Sequence, residues 1–433
     1  MVDYKKLEGY AKEQYGKLPQ EGSVLYANHF VNIPFELERC FDAKHDVEAE
    51  KKTLKDLMAG ELKDLGVKFD AVFGSDVYFL NNSNFLRIKS GAELSEADIK
   101  GRMHDSSDDK YMAFIDAHAK SFVFIDVPDR KNAKLNLLFL NSDRPLNAQV
   151  MISVGRDAKL SLSELYCSKA EGVSSNGVIH EIKTGSGSAV EMNDLHNEGK
   201  NTVVLNFCRA VVGENSGFCF NSLYNGGSHV RARTAAEASK PRSKIRVNEI
   251  VLGSGEQKFD VNTLITNSEE ETDASLISKA VLMDGSICML KGFADVKKGA
   301  IKSRSYVHQR GMVLDKGAKI YALPDMSVDE NDVKATHSSA MSPIDAEAMF
   351  YLMSKGIDEK DVRKLIITGF FAEVLSRIGD YTAREVAMSL IRKKLDDKTF
   401  GKIPRIDTTD MWIAGDGHSG NDPFRGHYKY EKQ

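Results

Sequence analysis

The feature that most restricts the fold of this chain is a long succession of short, strand-like segments between about Phe122 and Val328. Segments such as SFVFIDV, LNLLFL and KIRVNEIVL are apolar-rich runs of the kind that form strands. Small polar turns separate them at loose multiples of about 15 residues, which indicates a repeating unit. Because one such unit cannot bury its apolar face alone, the pattern favours units stacked into a solenoid around a continuous core.

The turns contain glycine and aspartate, which tolerate the backbone conformations that tight corners require. A β-sandwich or a jelly roll would use similar strands and turns, so the periodicity alone leaves those folds open. The clearest turns are Arg156-Asp157-Ala158, Gly187-Ser188, Gly226-Gly227-Ser228, Asp284-Gly285-Ser286 and Lys316-Gly317-Ala318.

Helical patterns flank the strand region on both sides. Apolar residues recur at helical spacing between Leu54 and Leu65, and Gly356 separates two amphipathic segments that follow Pro343. A third helix is predicted over Ala383–Leu395, followed by a polar, Gly-rich tail. We therefore expect an N-terminal helical or mixed region (1–115), a β core (116–340), a C-terminal helical domain (341–395) and a tail (396–433).

Composition is that of a soluble globular protein without an evident nucleic-acid or membrane partner. The 433 residues carry 59 Lys and Arg against 63 Asp and Glu, a net charge of −4, and the basic residues form no stripe. No apolar run reaches the length of a membrane span, and the N-terminus lacks the apolar centre of a signal peptide. A cytoplasmic location is the expectation.

The chain has no compact local motif for metal or nucleotide binding. Its five cysteines, which include Cys40 and Cys208, form no C-x-x-C pair, so we expect free thiols rather than a preassembled site. The Gly-Ser-Gly sequences at 185–187 and 253–255 lack the lysine of a phosphate loop, so no bound nucleotide is expected. Tail residues such as His418 and His427 fit a solvated segment better than a metal site.

The stretch from Val333 to Ile378, VKATHSSAMSPIDAEAMFYLMSKGIDEKDVRKLIITGFFAEVLSRI, resembles the C-terminal end of the SufB/SufD family. These proteins are scaffold subunits that help to build iron–sulfur clusters. The segment Asp332–His337 matches the family's D-D-V-x-x-x-H loop, and FYLMSKGI followed by GFFAEVL matches its helices. The resemblance implies a mainly β fold, with a right-handed parallel β-helix core between helical regions, and a non-catalytic scaffold function.

The resemblance also implies a site at a subunit interface. His337 matches a histidine at the interface where a nascent, transient cluster is thought to form, and a neutral imidazole can ligate iron. Gln309 and Ser338 replace a cysteine and a glutamate of B-type members, so the chain is closer to the D-type. His308, next to the absent thiol, is a possible substitute ligand. The alternative for His337 is a histidine that only bonds a neighbouring strand.

Cys208 is a weaker candidate. B-type members carry a sulfur-accepting cysteine shortly before a Gly-Glu-Asn-Ser turn, and Cys208 precedes the turn that begins at Gly213. The offset differs by one residue, which would turn the side chain to the opposite face of a strand. A buried structural cysteine is the favoured alternative.

The resemblance implies two partners. The helices after Pro343 would dock a SufC-like ATPase of the ABC type, and the other partner would be a SufB-like subunit or a second copy of this chain. Alternatively, the aromatic residues of these helices only cap the open end of the solenoid. Two other functions stay open, a β-helical carbohydrate-acting enzyme and a purely structural homodimer. The aromatic docking candidates are Phe350, Tyr351, Phe370 and Phe371.

Overall fold

A computed structural model describes residues 4–18, 71–73, 77–79, 84–141, 145–168 and 172–397. Cys40, the helix predicted between Leu54 and Leu65, and the tail lie outside the described residues. Within them, no helix is both long and apolar enough to cross a bilayer.

The described residues before Ser121 include helices, a 3₁₀ turn and three short strands. Helix α1 packs on α3, where the Tyr15 and Phe114 rings lie 5.4 Å apart. Helix α3 begins at an N-cap aspartate, Asp109, whose carboxylate accepts the backbone N–H of Tyr111 at 2.7 Å. The described helices of this region are α1 (Tyr4–Lys17), α2 (Glu96–Lys100) and α3 (Lys110–His118), with a 3₁₀ turn at Gly91–Glu93.

The strands form two sheets. Sheet 1 contains, in spatial order, β1 (Ala71–Phe73), β2 (Val77–Phe79), β5 (Asn132–Asn141), β7 (Lys159–Ser168), β9 (Ala189–Asn197), β11 (Gly217–Tyr224), β13 (Lys244–Gly253), β15 (Asp273–Leu282), β17 (Arg304–Val313) and β19 (Lys334–Pro343). Sheet 2 contains β3 (Leu86–Lys89), β4 (Ser121–Val127), β6 (Leu146–Val154), β8 (Ser174–Thr184), β10 (Thr202–Val212), β12 (His229–Ala238), β14 (Lys258–Asn267), β16 (Ile287–Val296) and β18 (Lys319–Val328).

From β4 onward the chain alternates between the two sheets, and neighbouring strands within each sheet are parallel. This arrangement is a parallel β-solenoid of about seven turns, which confirms the predicted fold and excludes the antiparallel sandwich and jelly roll. Each full turn contains two strands and about 30 residues, so the turn spacing seen in the sequence corresponds to half a turn. Among the described strands, antiparallel pairing is confined to β1–β2–β5 and β3–β4.

One corner of the solenoid repeats a left-handed backbone conformation. Asp157, Gly187 and Asn215 occupy this corner in successive turns, with φ values of 54°, 71° and 52°. Glycine, asparagine and aspartate tolerate this region best, but Arg242, Glu271 and Lys302 adopt it at the same corner of later turns, so residue type alone does not set this conformation. The backbone N–H of Asp157 donates to the Ser186 carbonyl of the next turn at 2.9 Å, so adjacent corners are hydrogen-bonded.

Two of the three C-terminal helices, the second and the third, cover the outer face of sheet 1. Asp345 and Asp358 act as N-caps of the first two, and Gly356 lies between these helices with φ 88°. Buried residues of the second and third helices pack against outward-facing Leu195, Leu223 and other strand residues. The second and third helices therefore lie along the side of the solenoid rather than over its open end. They are α4 (Ala346–Ser354), α5 (Glu359–Leu375) and α6 (Tyr381–Asp397).

One local expectation was wrong. The segment around His337 is not a loop, because residues Lys334–Pro343 form β19 and pair along their whole length with β17. The ladder supplies backbone hydrogen bonds that the polar composition of KATHSSAMSP does not reveal, and tertiary context outweighs the weak strand propensity of this segment.

Candidate functional site

His337 occupies the last position of a row of side chains that runs along the inside of the solenoid. Its register partner is Val307 on β17, and the row continues back through sheet 1, one residue from each strand. Every other member of the row belongs to the buried central core, whereas His337 is exposed at the open end. The row is Leu135, Leu162, Met192, Phe220, Val247, Leu276, Val307 and His337.

The hydrogen bond of His337 determines what its ring can do. Its Nδ1 lies 3.2 Å from the carbonyl oxygen of Pro324 on β18, in the opposite sheet. Because a carbonyl oxygen can only accept, Nδ1 carries the proton in this contact. In the neutral ring Nε2 then keeps its lone pair, which is the arrangement of a metal-ligating histidine oriented by a backbone carbonyl.

His308 lies on the opposite face of the same sheet. It pairs in register with Ser338, and its Nδ1 is 2.7 Å from the Ser338 hydroxyl oxygen. Its ring also stacks on that of Tyr306, with centroids 5.8 Å apart. Since side chains of consecutive strand residues point to opposite faces, His308 projects outward while His337 projects inward. The structure does not bring the two histidines together.

Gln309, at the position of the B-type thiol, projects into the interior and is fully buried. Neither polar atom of its side chain has a hydrogen-bond partner among the described residues. Across that same part of the chain, no group of three or more His, Cys, Asp or Glu residues is placed to hold a metal ion.

Cys208 is distant from His337. It is 4% exposed within the central core, in an inward-facing row of sheet 2 that includes His180 and ends at Pro324. Four strand spacings separate Cys208 from Pro324, or about 19 Å. Burial, with the nearby Asp194 and Glu164 carboxylates, raises the pKa of the Cys208 thiol well above its usual value. A thiol in this setting is a poor nucleophile and a poor ligand.

A comparison with known protein families shows to which family this chain belongs. Residues 138–370 match the family described as SUF system FeS cluster assembly, SufBD core domain. The match covers more than half of the chain, from β5 into α5. The chain belongs to the SufB/SufD family.

Similar members of the SufB/SufD family include two SufD proteins. The iron–sulfur cluster assembly protein SufD of Bacillus subtilis is 23% identical over 365 residues, which are 81% of this chain and 81% of that protein. SufD of Escherichia coli is 24% identical over 175 residues, 40% of this chain and 41% of that protein. A SufBD family protein of Methanothermobacter thermautotrophicus is 21% identical over 260 residues, 58% of this chain and 62% of that protein. The chain thus spans less than two thirds of the last two relatives.

In this SufB/SufD-family chain, helix α4 presents an apolar surface. Phe350 and Tyr351 are 75% and 60% exposed. Phe371, by contrast, is fully buried against the outer face of sheet 1, and Phe370 is half-buried beneath the cations of Lys279 and Arg310. Of the four aromatic candidates, only Phe350 and Tyr351 are available to a partner.

A buried lysine attaches α5 to sheet 1. The Lys279 ammonium on β15 donates to the Phe370 carbonyl at 2.8 Å and lies 2.7 Å from the Glu373 carboxylate. Partial burial of the Glu373 carboxyl opposes ionisation, but the hydrogen bond and charge of Lys279, together with the charge of Arg377, outweigh burial and lower its pKa. Helix α5 is therefore held by a charged contact two strands from β19.

The sequence pattern did not reveal a charged cluster inside the solenoid. The Nε2 of His196 lies 3.3 Å from Asp194 Oδ2, and its Nδ1 lies 2.8 Å from Glu198 Oε1. Nearby, the Nε2 of His180 lies 2.7 Å from Glu164 Oε2. Burial lowers the pKa of His196, but the two carboxylates outweigh it and raise that pKa to about 10. A signal existed, because Asp194 and His196 follow Met192 at inward-facing positions of one strand. The Asp194 and Glu164 carboxylates are fully buried in the interior, out of reach of a polysaccharide, whereas Glu198 lies at the corner after β9.

Proposed function

We propose that this chain is a scaffold component of a SUF-type iron–sulfur cluster assembly complex, and that a nascent cluster forms at a subunit interface that includes His337. The cluster is a transient cargo shared with the partner subunit. The contribution of this chain is binding and presentation rather than catalysis.

The observation that carries this proposal is the position of His337 at an unpaired end of both sheets. β18 and β19 are the last strands of sheets 2 and 1, and each has a neighbour on only one side among the described residues. Exposed strand edges pair readily with another chain. A partner seated there, either a SufB-like subunit or a second copy of this chain, would lie beside His337.

Ligand chemistry supports a shared site. An iron–sulfur cluster is usually held by four protein ligands, commonly thiolates, and His337 supplies a single imidazole nitrogen. Gln309 and Ser338 add neither a thiolate nor a carboxylate, so the partner would supply most ligands. His337 would contribute through Nε2, with its ring oriented by Pro324.

Anaerobic reconstitution with iron and sulfide tests this role. We expect a visible cluster band when wild type is combined with its partner subunits, and a weakened band with His337→Ala. His308→Ala is the matched control, since that imidazole lies on the next strand but projects from the other face. An equal band in wild type and His337→Ala would remove His337 from the site. The absence of a band in every combination would leave the chain an architectural subunit.

We also propose that α4 docks a SufC-like ATPase of the ABC type. Large exposed aromatics are the residues that dominate protein interfaces, and Phe350 and Tyr351 are adjacent on one helix. Because α5 follows α4 and is attached to β15 through Lys279, a movement of the docked ATPase could reach the strands near His337.

A pull-down with the purified ATPase tests this surface. Phe350→Ser combined with Tyr351→Ser should abolish retention of the ATPase without loss of the folded protein. Tyr381→Ser provides the control, as Tyr381 is 66% exposed on α6. Retention of the ATPase by the double variant would exclude α4 as the docking helix.

A further inference from the structure

A polar cleft lies on the side of the solenoid, away from His337 and from the exposed face of α4. Its volume is about 710 Å³, and it is bounded by the corners that follow β9, β11 and β13 and by the last turns of α6. This volume is within the range of small-molecule sites, commonly about 300–1,000 Å³. Most of the side chains that line it are polar, so the cleft suits a hydrophilic ligand.

The inner part of the cleft is lined by polar atoms that have no hydrogen-bond partner among the described residues. Asn225 and Glu198 are 4% and 5% exposed, and within that part of the chain the Oδ1 of Asn225 and the Oε2 of Glu198 accept no hydrogen bond. Both ring nitrogens of His229 likewise lack a partner there. Burial, with a contribution from Lys258, lowers the pKa of His229 to about 4, so its ring is neutral and offers one donor and one acceptor. These are the groups that bind hydroxyls.

The outer part of the cleft is cationic. Lys200 and Lys393 are exposed and come from different elements, the corner after β9 and helix α6. Lys394 is half-buried and donates to the Asn225 carbonyl at 2.5 Å and to Gln257 Oε1 at 2.7 Å. The carboxylate of Glu198 is bonded to His196 at 2.8 Å, and an exposed Glu256 is the other acid of the lining. Lysine ammonium groups at such a rim attract phosphate.

We propose that this cleft binds a small phosphorylated polyol, with the phosphate at Lys200 and Lys393 and the hydroxyls toward Asn225, Glu198 and His229. Hydroxyl groups can donate to the two unpaired oxygens and complete the hydrogen bonds of the imidazole, which inorganic phosphate alone would not do.

Ligand-observed NMR on the full chain tests the site, with ribose 5-phosphate, ribose and inorganic phosphate as probes at constant ionic strength. We expect ribose 5-phosphate to bind more tightly than either of the other two. Lys200→Gln combined with Lys393→Gln should weaken it about tenfold, the effect of about 1.4 kcal/mol of lost interaction. Lys240→Gln, an exposed lysine on the opposite corner, is the matched control and should bind like wild type.

A second variant separates the polyol from the phosphate. His229→Phe keeps the ring volume but removes both nitrogens, so it should weaken ribose 5-phosphate and leave inorganic phosphate unchanged. The proposal is overturned if ribose 5-phosphate does not bind at millimolar concentration. It is equally overturned if Lys240→Gln weakens binding as much as the double variant, or if His229→Phe binds ribose 5-phosphate like wild type.

Discussion

Val307 and His337 are register partners on β17 and β19, and they are consecutive members of one inward-facing row. Up to Val307 each residue of the row is apolar and buried, and at His337 the row becomes polar and exposed. A terminal strand that only continued the core would carry another aliphatic residue there. The imidazole is therefore suited to a surface that meets something beyond this chain.

Replacing His337 with leucine should separate the structural from the ligand function. Because the side chain is exposed, we expect His337→Leu to change the free energy of unfolding by less than about 0.5 kcal/mol. The cluster band of the reconstituted complex should fall as it does for His337→Ala. Urea unfolding and visible absorption of the same preparations provide the two measurements. A large loss of stability would indicate that the bond to Pro324 is mainly structural.

His196 should make stability depend on pH above neutrality. Its folded-state pKa of about 10 exceeds the usual value of 6.5, so the protonated ring stabilises the fold fully below about pH 6.5. That contribution is lost as the pH rises through the window from 6.5 to about 10. We expect the free energy of unfolding of wild type to fall across this window by an amount on the order of a few kcal/mol.

The control for this prediction is His196→Gln, measured by urea unfolding at pH 6.5, 8 and 10. The variant should be less stable at pH 6.5 and show a shallower pH dependence, because glutamine cannot carry the charge that faces Asp194 and Glu198. Ionisation of the buried cysteines affects both proteins equally. Parallel curves for wild type and variant would contradict a charged His196.

In contrast to His196, Glu249 should be favoured by the fold in its neutral form. It is 1% exposed in the interior and receives hydrogen bonds from Thr263 and, at 2.7 Å, from Ser278. Burial raises the pKa of its carboxyl above the usual range. The fold therefore favours the neutral acid. Ionisation of this carboxyl lowers the free energy of unfolding as the pH rises from its unfolded-state pKa through its folded-state pKa. Glu249→Gln should be nearly neutral at pH 4 and stabilising at pH 8 in urea unfolding, and a loss of stability at pH 8 would contradict this account.

Lys279→Met should loosen helix α5. Methionine keeps the apolar stem but removes the hydrogen bond to Phe370 and the ion pair with Glu373, at a cost of about 1–3 kcal/mol. Hydrogen exchange of α5 amides should accelerate, whereas exchange in β9 and β11 should not. Lys159→Met is the matched control at an exposed strand residue. Unchanged exchange in α5 would show that apolar contacts alone hold this helix on sheet 1.

Several elements of the protein were predictable from sequence because they depend on local chemistry. Gly187 and Asp157 mark corners because glycine and aspartate tolerate a positive φ, whereas Arg242, Glu271 and Lys302 hold the same conformation in later turns without such a signal. Asp345, Asp358 and Gly356 limit the C-terminal helices through capping that acts within one helical turn. The family resemblance between Val333 and Ile378 likewise lay in linear order and spacing.

The tertiary structure decided which of these residues can act together. His308 and His337 look like two candidates for one site in the sequence, but pairing of Val307 with His337 places them on opposite faces of sheet 1. Strand register likewise turns Cys208 and Gln309 into the interior. The packing of α5 on sheet 1 buries Phe371, whereas Phe350 and Tyr351 on α4 stay exposed. The physical reason is that side-chain direction alternates with every strand residue, so the register between turns, which no local pattern specifies, determines whether a side chain faces the core, a helix or a partner.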